Sequence, residues 1–292
     1  MKAGPVPTRW DLHAHTTASD GVYTPTALVE RAKRAGLTGI AVSDHDSLAG
    51  VPEARRAGER LDLRVIPGIE LSSAGELGVE GPKPGVRADI HILGLFLDGL
   101  GEDVEARLEK RLLRRRTERL ARGKEIVDRL REAGLDLSWP EVRAVAGEGA
   151  VGRPHVARAL MERGYAESIE EAFDRYLSPG RPGYVAQPAL TTSEAIRWIR
   201  DGGGVVIWAH PGLSGVRLES APWLDSLDAL EVDHPRHGPE LRESLRSLAA
   251  AHGLLATGSS DCHGTPGREE VGVCTTPGAV VSELATRARA RA

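Results

Sequence analysis

Short apolar runs of β-strand character alternate with stretches of helical period from residue 9 to about residue 98. Residues 10–15 read as a strand. Residues 25–35 read as a helix, with Thr24 as its N-cap, Pro25 at its first position and Gly36 closing it. A buried strand over 38–43 follows, then a helix near 51–60, then strands over 63–66 and 90–96. The Gly/Pro-rich stretch 75–85 reads as a loop. This βαβα order predicts a parallel sheet or barrel.

The pattern changes from about residue 99 to 187. Leu108, Leu112, Leu120, Val127 and Leu130 mark one face of a long helix. Shorter helices are predicted over 140–146, 154–164 and 168–176, with no strong strand between them. Alternation then resumes, with helices over 193–201 and 239–252 and strands over 205–209, 229–232 and 254–258. The reading is one α/β unit in two parts, 1–98 and 188–292, interrupted by a helical insertion over 99–187.

Composition narrows the class. A chain of 292 residues, 40% hydrophobic and 27% charged, suits one large α/β domain with an insertion. No apolar run approaches the roughly 20 residues of a membrane span, and residues 1–10 lack the apolar core of a signal peptide. Cys262 and Cys274 form no familiar metal or redox spacing, so a cytoplasmic location is the expectation. A formal net charge of −4 argues against bulk electrostatic binding to nucleic acid and leaves room for a local basic patch. Nothing in the sequence calls for a membrane or an obligate protein partner.

Nearly every predicted strand ends in a group able to bind metal. The first ends in His13-Ala14-His15, and the strand over 38–43 runs into Asp44-His45-Asp46. The strand over 63–66 leads to Glu70, His91 opens the strand after the Gly/Pro loop, 205–209 ends at His210, and 254–258 leads to Asp261-Cys262-His263. In a barrel of parallel strands the C-terminal ends converge on one rim, where active sites form. Alternate residues of a strand face the same side, so both imidazoles of His-x-His can reach one ion. A lone histidine is more often a surface or satisfied core residue. Here, however, His13, His15, His45, His91, His210 and His263, six of the ten, fall at strand ends. Imidazole with carboxylate suits manganese, iron or zinc better than calcium. Cys262 lies between two such groups, so in an extended segment its side chain points away from them.

The motifs Asp-Leu-His-Ala-His-Thr (11–16), Ser-Asp-Gly (19–21), Ser-Asp-His-Asp (43–46), Pro-Gly-Ile-Glu (67–70), His-Ile-Leu-Gly-Leu (91–95), Gly-Arg-Pro-His (152–155), Ala-His-Pro (209–211), Glu-Val-Asp-His-Pro-Arg-His (231–237) and Ser-Asp-Cys-His-Gly (260–264) run through nearly the whole chain. As a set they resemble the PHP (polymerase and histidinol phosphatase) family of phosphoesterases. The closer likeness is to the branch of bacterial 3′,5′-nucleoside bisphosphate phosphatases, some of which are also 5′→3′ exoribonucleases. The resemblance implies a distorted (β/α)7 barrel with a small inserted helical domain and two or three divalent ions. It implies one metal on His13, His15 and Asp261, with Glu70 bridging to a second on His91 and His210, and a third on Asp20, His45 and His263. Glu70, His210 and Asp261 are the expected catalytic residues. One departure is Asp233, where relatives often carry an aromatic residue; a carboxylate pointing inward there would weaken anion binding.

The expected reaction is hydrolysis of a phosphomonoester of a nucleoside 3′,5′-bisphosphate by a hydroxide bridging two metals, without a phospho-enzyme. The second phosphate needs its own cradle. Arg153 and His155 qualify because Pro154 can open a helix whose amides favour anions; His234, Arg236 and His237 form a second cluster. Against these stands the plainer expectation that Arg153 pairs with an acidic neighbour and His234 caps a strand. Arg107, Arg111, Arg114, Arg115, Arg116, Arg119 and Arg122 outnumber Glu109 and Glu118 around them. The favoured reading is a solvated helix face with i,i+4 pairs, and the alternative is a guide for RNA.

Rival functions are a 5′→3′ exoribonuclease on short 5′-phosphorylated RNA, a histidinol phosphatase, an amidohydrolase cleaving C–N bonds, and a non-catalytic metal-binding module. Many amidohydrolases bridge their metals with a carboxylated lysine. Lys2, Lys33, Lys83, Lys110 and Lys124 are the only lysines and none ends a predicted strand, so Glu70 is the better bridge. A degenerate module predicts missing ligands, and none is missing.

Overall fold

A computed structural model describes residues 8–76, 79, 88–147, 151–186, 190–264 and 270–291. The expected loop over 75–85 lies mostly outside these residues. The elements are β1 (Arg9–Asp11), α1 (Pro25–Arg34), β2 (Gly39–Val42), α2 (Val51–Leu61), β3 (Arg64–Ala74), β4 (Asp89–Leu95), α3 (Glu102–Glu132), α4 (Trp139–Ala146), α5 (Arg153–Glu162), α6 (Ile169–Ala172) running into a π-helical turn (Phe173–Leu177), α7 (Thr192–Arg200), β5 (Val205–Trp208), β6 (Ala229–Asp233), α8 (Pro239–Ala251), β7 (Leu255–Gly258), β8 (Thr276–Pro277) and α9 (Gly278–Arg289). Thr24 caps α1 by accepting from the Ala27 amide, and Gly36 leaves the helix at φ +70.

The strands form one sheet in the order β7-β6-β5-β4-β3-β2-β1-β8. The Thr276 hydroxyl links β8 back to Gly258 at the end of β7, so the sheet is nearly closed into a barrel. The expectation of an all-parallel barrel needs correction at two strands. β8 pairs antiparallel with β1. β4 runs antiparallel to both β3 and β5, while β1–β2–β3 and β5–β6–β7 are parallel. A parallel pair needs a crossover, usually through a helix, and no helix separates β3 from β4 among the described residues. The reversal carries a consequence for the rim. Where parallel strands present their C-terminal ends, β4 presents its beginning, and His91 pairs with Ser72 there.

Helix α3 serves two cores. Leu108 and Leu112 pack with Phe96, Ile196 and Trp208 in the core between the sheet and its flanking helices. Ile126, Val127 and Leu130 pack with Val142, Val156 and Leu160 in a separate helical core. One rigid helix therefore holds α4, α5 and the π-turn against the barrel rim. No helix among the described residues is long and apolar enough to cross a membrane.

Candidate metal centre

The loops that leave β1 and β7 are zipped together. Ala14 bridges Cys262, and the His15 amide donates to the Cys262 carbonyl at 3.0 Å. The side chains of Ala14 and Cys262 point into the core with Leu28 and Val42, as alternation requires. Their neighbours His13, His15, Asp261 and His263 therefore face the opposite side. His45 bridges Glu70 in the same manner. Two of the clustered residues sit in left-handed backbone, His210 at φ +30 and Asp261 at φ +50. Such strain in non-glycine residues costs about 1–3 kcal/mol each and persists only where the surroundings impose it.

Glu70 stands at the centre with its two oxygens facing different groups. Oε1 lies 2.8 Å from His91 Nδ1 and 3.0 Å from His210 Nε2. Oε2 lies 3.3 Å from His13 Nε2, 3.2 Å from His15 Nε2 and 3.0 Å from His45 Nδ1. Asp261 Oδ1 lies 3.3 and 3.2 Å from the same two nitrogens of His13 and His15. Asp20 lies 3.4 Å from His263 Nε2 and 3.8 Å from His45 Nε2. Three groups have potential ligand atoms within 4.8 Å of one another: His13, His15 and Asp261; His45, Glu70 and His91; and His15, Asp20, His45 and His263. All nine expected metal ligands are thus gathered in one buried or half-buried cluster. His45 is shared between two groups, more central than expected, and His210 lies outside all three, meeting Glu70 and stacking on His13.

The residues fit divalent ions. Glu70 Oε2 and Asp261 Oδ1 are buried, and no donor hydrogen-bonds either of them although ring nitrogens lie close. A buried charge without compensation is costly, and nitrogen and carboxylate lone pairs aimed at a common space form a donor set for cations. Electrostatics agree. Burial raises the pKa of Glu70, but His45, His13 and His91 outweigh it and hold this carboxylate well below its usual range. Asp261 and Asp20 are likewise held low against burial, chiefly by His13 and by His263 respectively. Burial disfavours charged His15 and His91, yet their carboxylate neighbours push both up to about 10. His45 is driven down by burial that Glu70 and Asp20 do not offset.

A second layer holds this cluster, and sequence reasoning missed its main member. Glu231 is fully buried in β6. Its Oε1 lies 3.1 Å from His13 Nδ1, and its Oε2 accepts from the His210 amide at 2.6 Å. Burial raises its pKa, but His13 brings it down to about 2, so the ring must donate. The motif over 231–237 contained this residue, yet it offered no spacing of its own. Asp44 similarly ties down the loop after β1, accepting from the Thr16 amide and the Thr16 and Ser19 hydroxyls.

The expected phosphate cluster over 234–237 is corrected at His234. His234 accepts the Arg236 amide at Nδ1, so its Nε2 donates to Asp261 Oδ2 at 3.3 Å; it positions a carboxylate. His237 donates from Nδ1 to the Val232 carbonyl, and its Nε2 is buried without a partner. Arg236 is exposed. Asp233 is drawn away toward α8 by Arg246 at 2.5 Å, so it does not oppose anions at the site. His155 is corrected too. Its Nδ1 accepts the Gly152 amide at 2.9 Å, capping α5, and its ring also hydrogen-bonds the Ser19 backbone.

Arg153 is paired with an acid, donating to Asp89 at 2.5 Å. It nonetheless lines a cleft of about 210 Å³ together with Asp20, His45, His91, Arg119 and Arg122. The solvated-face reading of α3 therefore holds for only part of the helix. Arg114 pairs with Glu118, and Arg116 with Glu109. Arg119 instead reaches Asp46 at 2.6 Å and the Ser72 hydroxyl, and Arg115 donates to the Ser72 carbonyl. Arg122 donates to the Val185 carbonyl; burial, helped by Arg153 beside it, pushes its pKa down to about 9.

Residues 11–178 match the sequence profile of the PHP domain. The chain is 38% identical over 265 residues to the 5′-3′ exoribonuclease Rnm of Salmonella typhimurium, covering 87% of this chain and 85% of that protein. It is 31% identical over 268 residues to the 3′,5′-nucleoside bisphosphate phosphatase of Chromobacterium violaceum, covering 89% of each. Its fold resembles the crystal structure of a protein from Bifidobacterium adolescentis described as a metal-dependent phosphoesterase. The TM-score is 0.82 at 33% identity, over 97% of this chain and 98% of that one.

Proposed function

This chain belongs to the PHP family of metal-dependent phosphoesterases, and from that premise we propose that it hydrolyses a phosphomonoester of nucleoside 3′,5′-bisphosphates. His13, His15 and Asp261 hold one divalent ion in this reading. His91 and His210 would hold a second, with Glu70 lying between the two sets, and Asp20, His45 and His263 would hold a third. Support comes from Glu70, whose two oxygens face two sets of ring nitrogens. Manganese, iron or zinc suits these ligands. Bound there, such ions neutralise charge on phosphate oxygens and bring the ionisation of water into the neutral range.

The protein's own groups do the rest. Glu70, His210 and Asp261 border the space where the phosphate reacts. Asp261 would be a ligand in this role, with Oδ1 facing the ring nitrogens of His13 and His15 and Oδ2 steadied by His234. Arg153, with Arg119 and Arg122 beside it, orients the second phosphate. The observation that carries the reading is this group of three guanidiniums in one cleft with His45 and His91. A guanidinium stays charged and grips phosphate in a bidentate fashion, and one phosphate at the metal cluster leaves the other within their reach.

A second reading is a 5′→3′ exoribonuclease acting on short RNA with a 5′-phosphate. The exoribonuclease Rnm is the more similar of the two named relatives, and both activities begin by gripping a terminal nucleotide. Phosphate release in Mn²⁺ from nucleoside bisphosphates, nucleoside monophosphates, histidinol phosphate and short 5′-phosphorylated RNA tests both readings. Free phosphate from the bisphosphate supports the first, and stepwise release of mononucleotides from the RNA supports the second. Preference for histidinol phosphate refutes both.

A further inference from the structure

The phosphates account for only part of the cleft. Its other wall is apolar and comes from the helical core: Ile126, Val151, Pro154 and Phe173. The chain has two phenylalanines. Phe96 is buried in the core between the sheet and its flanking helices, as an aromatic core residue should be. Phe173 is only half-buried, and it stands beside three arginines. Packing alone does not call for a ring there, since an aliphatic side chain would fill the edge of a helical core without presenting a flat surface to a charged cleft.

Two features hold the ring in place. Phe173 opens the π-helical turn that continues α6, and widened turns of this kind are frequent at functional sites. The Arg153 guanidinium carbon lies 5.5 Å from the ring centroid, within cation–π range. The same arginine thus touches both the proposed phosphate position and the aromatic wall.

Resting on the nucleotide reading above, we propose that this wall seats the base of the substrate and that Phe173 is its stacking platform. A base joined to a ribose whose phosphates lie at the metal cluster and at Arg153 has this wall as its apolar neighbour. Aromatic rings and guanidinium planes are the surfaces on which single-stranded bases stack. The polar members of the lining are committed elsewhere. Asp20 faces His45 and His263, and Ser72 accepts from Arg119. Among the described residues no amide side chain lines the cleft to read a base edge. A stacking platform recognises that a base is present and discriminates little among bases, because every base has a π-face.

The test compares adenosine 3′,5′-bisphosphate with 1-deoxyribose 3,5-bisphosphate, which lacks the base. Both are given to the Mn²⁺-loaded native enzyme, Phe173→Leu and Phe173→Trp. The native enzyme and Phe173→Trp are expected to favour the nucleotide in kcat/KM by about tenfold or more. Phe173→Leu is expected to lose that preference, and native metal content with a native circular dichroism spectrum shows that its fold and metal cluster are intact. Calorimetric Kd values for adenosine 5′-phosphate and ribose 5-phosphate follow the same order. Uridine and guanosine bisphosphates fall within a few-fold of adenosine. A preference that survives in Phe173→Leu, or its absence from the native enzyme, overturns the platform and leaves the bisphosphatase reading standing. Failure of the native enzyme to hydrolyse either bisphosphate overturns both.

Discussion

His13 Nδ1 lies 3.1 Å from Oε1 of Glu231, and both side chains are shut away from solvent. An ionised carboxylate only accepts, so the imidazole carries its proton at Nδ1 and leaves the Nε2 lone pair for an ion. The other oxygen of Glu231 holds the amide of His210, the residue with the most acute left-handed backbone in the cluster. One side chain on β6 thus sets the tautomer of a ligand after β1 and the backbone of a ligand after β5.

Glu231→Gln is expected to weaken metal binding about ten- to a hundredfold, the usual cost of losing a partner behind a metal ligand. The new amide has one oxygen where two acceptors are needed, so either His13 or the His210 amide meets an NH₂ group. Competition against a chelator of known affinity measures the loss. Native affinity in this variant would show that Glu231 holds the fold and nothing more.

Glu70 contacts both sets of nitrogens, so Glu70→Ala is expected to lower metal content by more than one ion per chain. His91→Ala removes a ligand from one set and is expected to lower it by one at most. Elemental analysis of protein purified without chelator decides between them; equal losses would count against a bridging role. Asp20→Ala tests the third set in the same assay, and unchanged metal content and activity would remove that set from the site.

Much of the site was legible because strand ends converge and extended backbone alternates. Those two rules placed His13, His15, Asp261 and His263 on one side and Cys262 on the other, and the zipped loops show both at work. The direction of β4 was not legible, since periodicity reports which face a residue takes and not which way its strand runs. The reversal explains why His91, at the start of its strand, belongs with residues at the ends of theirs. Glu231 looked like any polar residue between apolar neighbours. His155 looked like an anion ligand because Gly-Arg-Pro-His opens a helix, but a histidine at the third helical position can also reach back to the cap, and it does. Phe173 carried no signal, since a π-turn has no residue code of its own.

Arg153 is tied to Asp89 at 2.5 Å, so a bound phosphate competes with a carboxylate for the guanidinium. Arg153→Ala is expected to cut kcat/KM for a nucleoside 3′,5′-bisphosphate about ten- to a hundredfold, from a charge-assisted pair of roughly 1.5–3 kcal/mol. It should barely touch a small aryl phosphate without a second anionic group. Asp89→Asn frees the guanidinium and should leave the bisphosphate rate equal or higher. Equal losses of both substrates in Arg153→Ala would assign this residue to the fold or the metal cluster.

His155 makes stability depend on pH in a direction that can be checked. Burial pushes its pKa from 6.5 down to about 4, with Arg158 and Arg119 adding to the shift and Asp20 opposing it. The folded state therefore holds the neutral ring, while the unfolded chain takes up a proton below pH 6.5. A depressed histidine contributes stability that is complete above the unfolded pKa and is lost as pH falls from 6.5 toward 4. Between pH 7.5 and pH 5 these two pKa values correspond to about 2 kcal/mol. His155→Gln removes the titration and keeps the cap, because glutamine at the third position of a helix also accepts the cap amide. Urea unfolding of the two proteins at both pH values isolates the difference from every other titrating group. The native protein should lose about 2 kcal/mol more than the variant on going to pH 5. A parallel loss in both would mean that His155 is not held neutral, and that its ring is free to carry charge toward the phosphate cleft after all.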